Sequence, residues 1–182
     1  MKRDYEKKVK ALRRLLWGEG DIRAARELVE WMLNNAGAYT ARCRRGLEAG
    51  VVVTYARPFG ENQGLGALPK KFSEFKDLAL QKFHEKLINS RNYVAAHNDR
   101  INLNSLLSTD ALLEDPHKVE IEILANGTSE WITKYPYLEE PVLKRIVELC
   151  QVQENRLHEE ASNIIGGKSY DPGTFTLGDN FP

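Results

Sequence analysis

The N-terminal part of the chain repeats its apolar positions with the period of an α-helix. Between residues 5 and 17 they recur every three or four positions with basic residues between them, and Gly18 and Gly20 are expected to end this helix. Asp21 fits the N-cap of a second helix, whose apolar side chains run through residues 22–32. The pattern therefore predicts two consecutive amphipathic helices.

The next segment carries two conflicting signals. The run 51–55 has the composition of a strand, whereas Tyr39, Cys43, Leu47 and Val51 recur every four residues, as on one face of a helix. We favour a buried helix. It should end just before the next proline, because the residue that precedes proline resists helical backbone.

A long helix is predicted after a glycine-rich loop. Pro69 suits a first helical turn, and Phe72, Phe75, Phe83 and Leu87 belong to one apolar stripe that continues to about residue 97. This is the longest helix that the sequence predicts.

The hydrophobic period then changes from helical to two. Val119, Ile121 and Ile123 alternate with glutamates, and Asn126-Gly127 is a strong signal for a hairpin turn. After this hairpin, Pro141 opens a last predicted helix, which fades near residue 164.

The expected fold is mainly α: a helical bundle of four to five helices with a small β-hairpin insertion near 118–134. Residues 1–165 form a single helical domain in this interpretation. Residues 166–182, which are rich in glycine and proline, form an irregular C-terminal arm.

Composition narrows the function classes. Lys and Arg together number 26, as do Asp and Glu, so a generally basic nucleic-acid coat is excluded, although a local basic cleft is not. No apolar run approaches the roughly 18 residues of a membrane helix, and the N-terminus lacks the apolar stretch of a signal peptide. Cys43 and Cys150 are too few for a disulfide framework. We expect a cytoplasmic protein with no membrane contact.

Histidine spacing gives no sign of a metal site. None of the four histidines forms an H-x-x-x-H or H-E-x-x-H pattern, and no phosphate-binding G-x-x-x-x-G-K-[ST] or nucleophile G-x-S-x-G is present. A metal-dependent nucleotide hydrolase is therefore the weakest of the hypotheses considered, and we expect no metal and no cofactor.

The candidate chemistry lies near the end of the longest predicted helix. His84, Leu87 and Arg91 share one face of it, beside the apolar stripe, and His97 lies near its C-terminus. A fixed cation beside an imidazole suits RNA cleavage, which needs a base for the 2′-hydroxyl, a cation for the phosphorane charge and an acid for the leaving oxygen.

The run Arg91-Asn92, four residues and His97 resembles the R-x(4–6)-H signature of HEPN-type proteins. Active members are metal-independent endoribonucleases in which two protomers bring their motifs into one cleft. The resemblance implies that Arg91 stabilises the phosphate, that His97 is the acid or base, and that Asn92 assists.

Three more side chains are candidates for substrate binding. Asn98 could orient the histidine or contact phosphate, Arg57 could lie near the same cleft, and His84 shares the face of Arg91. The predicted function is thus cleavage of single-stranded RNA by a homodimer, and the sequence identifies no antitoxin partner.

Structural alternatives remain for the same residues. Arg91 could pair with Glu27 or Glu30 as a structural bridge, and His97 could cap the negative end of its helix. The alternative function is a non-catalytic helical dimer that acts as a nucleotide-binding or protein-interaction module.

Overall fold

The fold is known from a computed structural model. It describes residues 2–61, 64–96, 107, 119–123, 129–133 and 137–166, with the backbone alone at 2, 41, 93–96 and in the two strands.

Four α-helices lie in this part of the chain: α1 (Lys2–Asn34), α2 (Ala41–Ala56), α3 (Leu78–Ala96) and α4 (Glu140–Ile165). Short 3-10 helices cover Arg57–Phe59 and Lys70–Ser73. The expectation of a mainly helical chain that forms a bundle is confirmed.

Two short strands pair antiparallel, β1 (Val119–Ile123) with β2 (Ser129–Thr133). Ile121 stands opposite Trp131 in this register. The turn residues Asn126-Gly127 lie outside the described residues, and the position of the hairpin as an insertion on the bundle stays a prediction.

The expected break in the first helix is wrong. α1 continues through Gly18 and Gly20 as one helix, and Asp21 is an interior residue rather than an N-cap. Glycine costs a helix only about 1 kcal/mol relative to alanine. Buried side chains on both sides of the glycines, Leu15 and Ile22 among them, outweigh that cost by packing in one core.

The expected start of the long helix at Pro69 is also wrong. Residues 70–73 form a 3-10 helix, and α3 begins at Leu78. The side chain of Asp77 accepts hydrogen bonds from the amides of Ala79 (2.7 Å) and Leu80 (3.1 Å) and so caps α3.

The core lies between α1, α2 and α4, with α3 against α2. α1 and α4 run antiparallel, since Arg26 Nε lies 2.6 Å from Glu154 Oε1 and Glu19 Oε1 lies 3.7 Å from His158 Nδ1. The helix predicted to open at Pro141 is α4, which ends one residue beyond the expected position. This arrangement leaves the α2–α3 side of the bundle to carry the candidate site.

Candidate functional site

Arg91 lies on the face of α3 that the sequence predicts. His84 and Leu87 on the same face are buried, at 1% and 0% exposure, whereas Arg91 is half-buried at the rim. The core therefore anchors the helix beneath Arg91, and the long side chain reaches the surface.

The guanidinium of Arg91 lies against the turn that follows α2. A Cβ atom placed on Gly60 would lie 2.6 Å from Arg91 Nη1, so the glycine leaves the space that the guanidinium occupies. The amide of Gly60 donates to the carbonyl of Arg57 (3.2 Å) and closes the 3-10 turn at this point.

No carboxylate pairs with Arg91 among the residues that the structure describes. Glu30, one of the two partners considered for a structural bridge, pairs with Arg26 instead, at 2.9 Å. Glu27 is exposed and forms no ion pair with Arg91 in the described part of the chain. The described contacts thus do not support the alternative that Arg91 forms a structural salt bridge. Among the described residues, the guanidinium has no fixed carboxylate as a counter-ion.

Arg57 lies in the same neighbourhood, as the sequence suggests. Its Nη1 donates to Asp21 Oδ1 (2.9 Å), which ties the 3-10 turn to α1. Partial burial raises the pKa of Asp21, and the charge of Arg57 opposes that shift. Arg57 is therefore a link between α1 and the turn that carries Gly60, and about half of its side chain is exposed.

Of the other residues of the motif, only Asn92 belongs to the described part of the chain. Asn92 is exposed on α3, directly after Arg91. His97 and Asn98 lie outside the described residues, just beyond the last described turn of α3. Their predicted roles stay predictions.

His84 is a core residue. Its ring contacts the rings of Phe59 and Phe75, with centroids 4.7 and 5.0 Å away, and its Nδ1 lies 2.7 Å from the Tyr55 hydroxyl. Its Nε2 is buried and has no hydrogen-bond partner among the described residues. His84 thus supports the wall of the site, and Phe59, which directly precedes Gly60, connects it to the turn beside Arg91.

Burial lowers the pKa of His84 to about 4, and the charge of Arg156 acts in the same direction. Burial also raises the pKa of Tyr55, so both groups are neutral at physiological pH and the phenol can donate its proton to Nδ1. A neutral His84 is not suited to hold a phosphate by charge.

Arg156 of α4 holds the other side of this wall. Its guanidinium donates to the carbonyls of Lys71 and Glu74 (the latter at 2.9 Å) and to Gln153 Oε1 (2.7 Å), and it stacks 4.9 Å from the centre of the Phe75 ring. The carbonyl of Phe72 accepts a fourth, longer hydrogen bond (3.4 Å), and these contacts together fix the segment between the 3-10 helix and α3.

A cavity of about 410 Å³ opens beside His84, lined by both polar and apolar surface. Its walls come from the 3-10 helix 70–73 and from α3, including Lys70, Ser73, Gln81 and Asn89. Volumes of this size are typical of small-ligand sites.

Sequence reasoning missed Gly60, Phe59, Phe75 and Arg156 as neighbours of the motif. They lie on three other segments, and no local pattern indicates which of them meet. The one sequence signal for this turn is Pro58, which directly follows the end of α2 and its next residue, Arg57.

Metal and membrane signals are absent from the described part of the chain. There, no group of three His, Cys, Asp or Glu side chains could hold a metal ion, and no helix combines the length and hydrophobicity of a membrane span.

Three comparisons with known proteins found no match to this chain. No family model, no curated protein and no solved structure matches this chain.

Proposed function

We propose that this protein is a metal-independent endoribonuclease that cleaves single-stranded RNA through Arg91 and His97, in the manner of the HEPN-type proteins that its motif resembles. The observation that supports this most is the position of Arg91. It is a half-buried cation, positioned by Gly60, with no carboxylate partner among the described residues.

A cation in that state suits a phosphate ligand. A guanidinium presents paired N–H donors to two phosphate oxygens, and partial burial strengthens that contact relative to one in water. Arg91 would bind the scissile phosphate and stabilise the additional negative charge of the phosphorane.

The proposed reaction forms one bond and breaks one. The 2′-oxygen attacks phosphorus, its proton passes to the imidazole of one His97, and the bond to the 5′-oxygen breaks as a second His97 donates a proton to it. The products are a 2′,3′-cyclic phosphate and a 5′-hydroxyl. Two histidines of one kind are available only if two protomers share the cleft, and so the proposal includes a homodimer.

The remaining residues have supporting roles in this proposal. Asn92 is exposed beside Arg91 and would contact the same phosphate, and Asn98 would contact phosphate or orient His97. Arg57 would attract the RNA backbone near the turn that it shares with Gly60. The activity belongs to a cytoplasmic bundle that carries the hairpin at 118–134 as an insertion.

RNA cleavage in EDTA tests the proposal. Purified protein is incubated with single-stranded RNA, with the same RNA carrying a 2′-deoxy nucleotide at the cleaved position, and with the variants Arg91→Ala and His97→Ala. We expect the wild type to cut only the unmodified RNA, and the two variants to lose the activity.

Arg42→Ala is the matched control, since Arg42 is an exposed arginine on α2. It should cleave like the wild type. Equal cleavage by all variants would show that a contaminant is responsible, and cleavage of the 2′-deoxy RNA would exclude the proposed chemistry.

The alternative, a non-catalytic helical dimer that binds a partner, is favoured by one observation. Trp17 is 69% exposed on α1, and an aromatic side chain so open to solvent is typical of an interaction surface. RNA binding or dimer formation without cleavage in the same assay would favour this function instead.

A further inference from the structure

The outward face of α1 carries exposed residues at the spacing of a coiled coil. All six are exposed, and they follow one another at intervals of 4, 3, 4, 3 and 4 residues: Arg13, Trp17, Gly20, Ala24, Glu27 and Trp31. We name this set the α1 stripe. Its tryptophans are 69% and 45% exposed, at positions 17 and 31.

Alternation of three and four residues is the pattern with which one helix packs along another. The buried face of α1 already packs in the core through other positions, among them Ile22 and Val29. The α1 stripe is therefore a second helix-packing pattern. At one end of it the ring of Trp31 lies beside that of Tyr39, with centroids 5.6 Å apart, and Trp31 still keeps 45% of its surface exposed.

Gly20 has no role in packing within the described chain. A Cβ on Gly18 would come within 3.2 Å of the Leu68 side chain, which accounts for that glycine. A Cβ on Gly20 would meet no described atom within 4 Å. Since glycine costs a helix interior about 1 kcal/mol relative to alanine, a close approach by another molecule would explain why Gly20 is there.

We propose that a second copy of this chain packs on the α1 stripe, with the two α1 helices antiparallel. A two-fold axis level with residue 22 places Gly20 against the partner's Ala24, where small side chains let the backbones approach. The same axis places Trp17 against the partner's Glu27 and Arg13 against the partner's Trp31.

Charge selects the antiparallel direction. In that register Arg13 stacks on a tryptophan and lies one layer from the partner's Glu27, so both a cation–π contact and an ion pair form. A parallel pair would bring Arg13 against Arg13 and Glu27 against Glu27. In a two-fold dimer each contact occurs twice, which doubles the difference in interaction energy between the antiparallel and the parallel pair.

The proposed axis also passes near the candidate site. Asp21 lies about a quarter turn around α1 from the stripe and holds Arg57 at 2.9 Å, on the 3-10 turn that leads to Gly60 and Arg91. The two-fold axis that relates two antiparallel helices is perpendicular to the plane that contains them. Both Asp21 residues therefore lie on the same side of that plane. The inference rests on the homodimer in the proposed function and locates its interface, with the two Arg91 sites on one face.

Mass in solution tests the interface. By light scattering across a dilution series, the wild type is expected at about twice 20.7 kDa. Gly20→Arg introduces a long side chain where the monomer has open space, so it should fold at least as well as the wild type and shift to the mass of one chain.

Gly46→Arg is the matched control. Gly46 also lies inside a helix, and its Cβ would likewise meet no described atom within 4 Å. This variant makes the same glycine-to-arginine change outside the α1 stripe and should remain a dimer. Circular dichroism on both variants confirms that the helices are intact.

A charge exchange tests the direction and does not depend on Gly20. Glu27→Arg should raise the dimer dissociation constant by about tenfold or more, a change of about 1.4 kcal/mol. The double variant Arg13→Glu with Glu27→Arg should restore dimerisation in an antiparallel pair. In a parallel pair it would place like charges together at both positions and would not restore it.

Three results would overturn the inference: a wild type with the mass of one chain, a Gly20→Arg variant that dimerises like the wild type, or no rescue by the charge exchange. If residues 167–182 or another partner occupied the stripe, the wild type would be monomeric. Failure of the proposed ribonuclease activity is a separate outcome. A protein that dimerises through the α1 stripe but does not cut RNA would contradict the proposed function and leave the proposed interface intact.

Discussion

The position of the Arg91 guanidinium depends on the missing side chain of Gly60. A methyl group there would lie 2.6 Å from Nη1, so Gly60→Ala must displace the guanidinium. The backbone of Gly60 (φ −93°, ψ 169°) is open to any L-residue, and the fold should tolerate the change. We expect RNA cleavage in single-turnover experiments to fall about tenfold, or about 1.4 kcal/mol of transition-state stabilisation.

Gly46→Ala is the control for that substitution, because its new methyl group would meet no described atom within 4 Å. It should leave cleavage unchanged. Full activity in Gly60→Ala, with a thermal midpoint like that of the wild type, would show that cleavage does not need the observed position of Arg91.

His84 makes folding sensitive to acid. Its pKa is about 4 in the folded chain and about 6.5 when unfolded, so the unfolded state takes up a proton first as the pH falls. The neutral ring is favoured in the fold. Stability is therefore complete above pH 6.5 and declines between pH 6.5 and 4, by up to about 3 kcal/mol.

Urea unfolding at a series of pH values checks this loss. His84→Gln keeps a polar group beside Tyr55 but cannot take up a proton, so its stability should fall less than that of the wild type between pH 6.5 and 4. Parallel curves for the two proteins would contradict the assignment, whatever the absolute stability of the variant.

At the scale of elements, local sequence predicted faces better than boundaries. The shared face of His84, Leu87 and Arg91 follows from helical period alone, and the structure has it. The start of α3 does not follow, because Pro69 is equally suited to a turn before a 3-10 helix, and the capping side chain of Asp77 sets the helix start. α1 continues through its glycines because of packing with distant residues, which no local pattern contains.

The segment between the 3-10 helix 70–73 and α3 depends on one side chain of α4. Arg156 donates to the carbonyls of Lys71 and Glu74 and to Gln153, and it stacks on Phe75. We expect Arg156→Ala to lower the free energy of unfolding by about 2–3 kcal/mol. A hydrogen bond to a charged donor contributes about 1.5 kcal/mol or more, and the bonds to Lys71 and Glu74 contribute less because they are exposed to water. Urea denaturation measures this loss.

The same substitution should raise the pKa of His84, because the charge of Arg156 lowers it. Arg42→Ala, at an exposed position on α2, should change neither property. A stability loss no larger than that of Arg42→Ala would mean that the contacts of Arg156 do not hold this segment.

At the scale of the whole molecule, the sequence predicts the class of fold and the motif but not how the site is completed. The bundle and the face of Arg91 could be derived from periodicity. The turn at Gly60, the ring cluster around His84 and the outward pattern on α1 required the packed structure, because each depends on how separate segments meet. An arginine and a histidine six positions apart therefore indicate a catalytic site only together with the residues that surround them in the folded chain.

A shared cleft makes a prediction that a site within one chain does not. The proposed reaction uses the His97 side chains of both protomers, so a mixed dimer of one wild-type chain and one His97→Ala chain has only one of them and should be inactive. Excess His97→Ala chain added to the wild type should therefore suppress cleavage through subunit exchange, and Gly20→Arg in the added variant should prevent that suppression. Suppression that survives Gly20→Arg would place the shared cleft at another interface, and no suppression between chains shown to exchange subunits would mean that each site uses one chain alone.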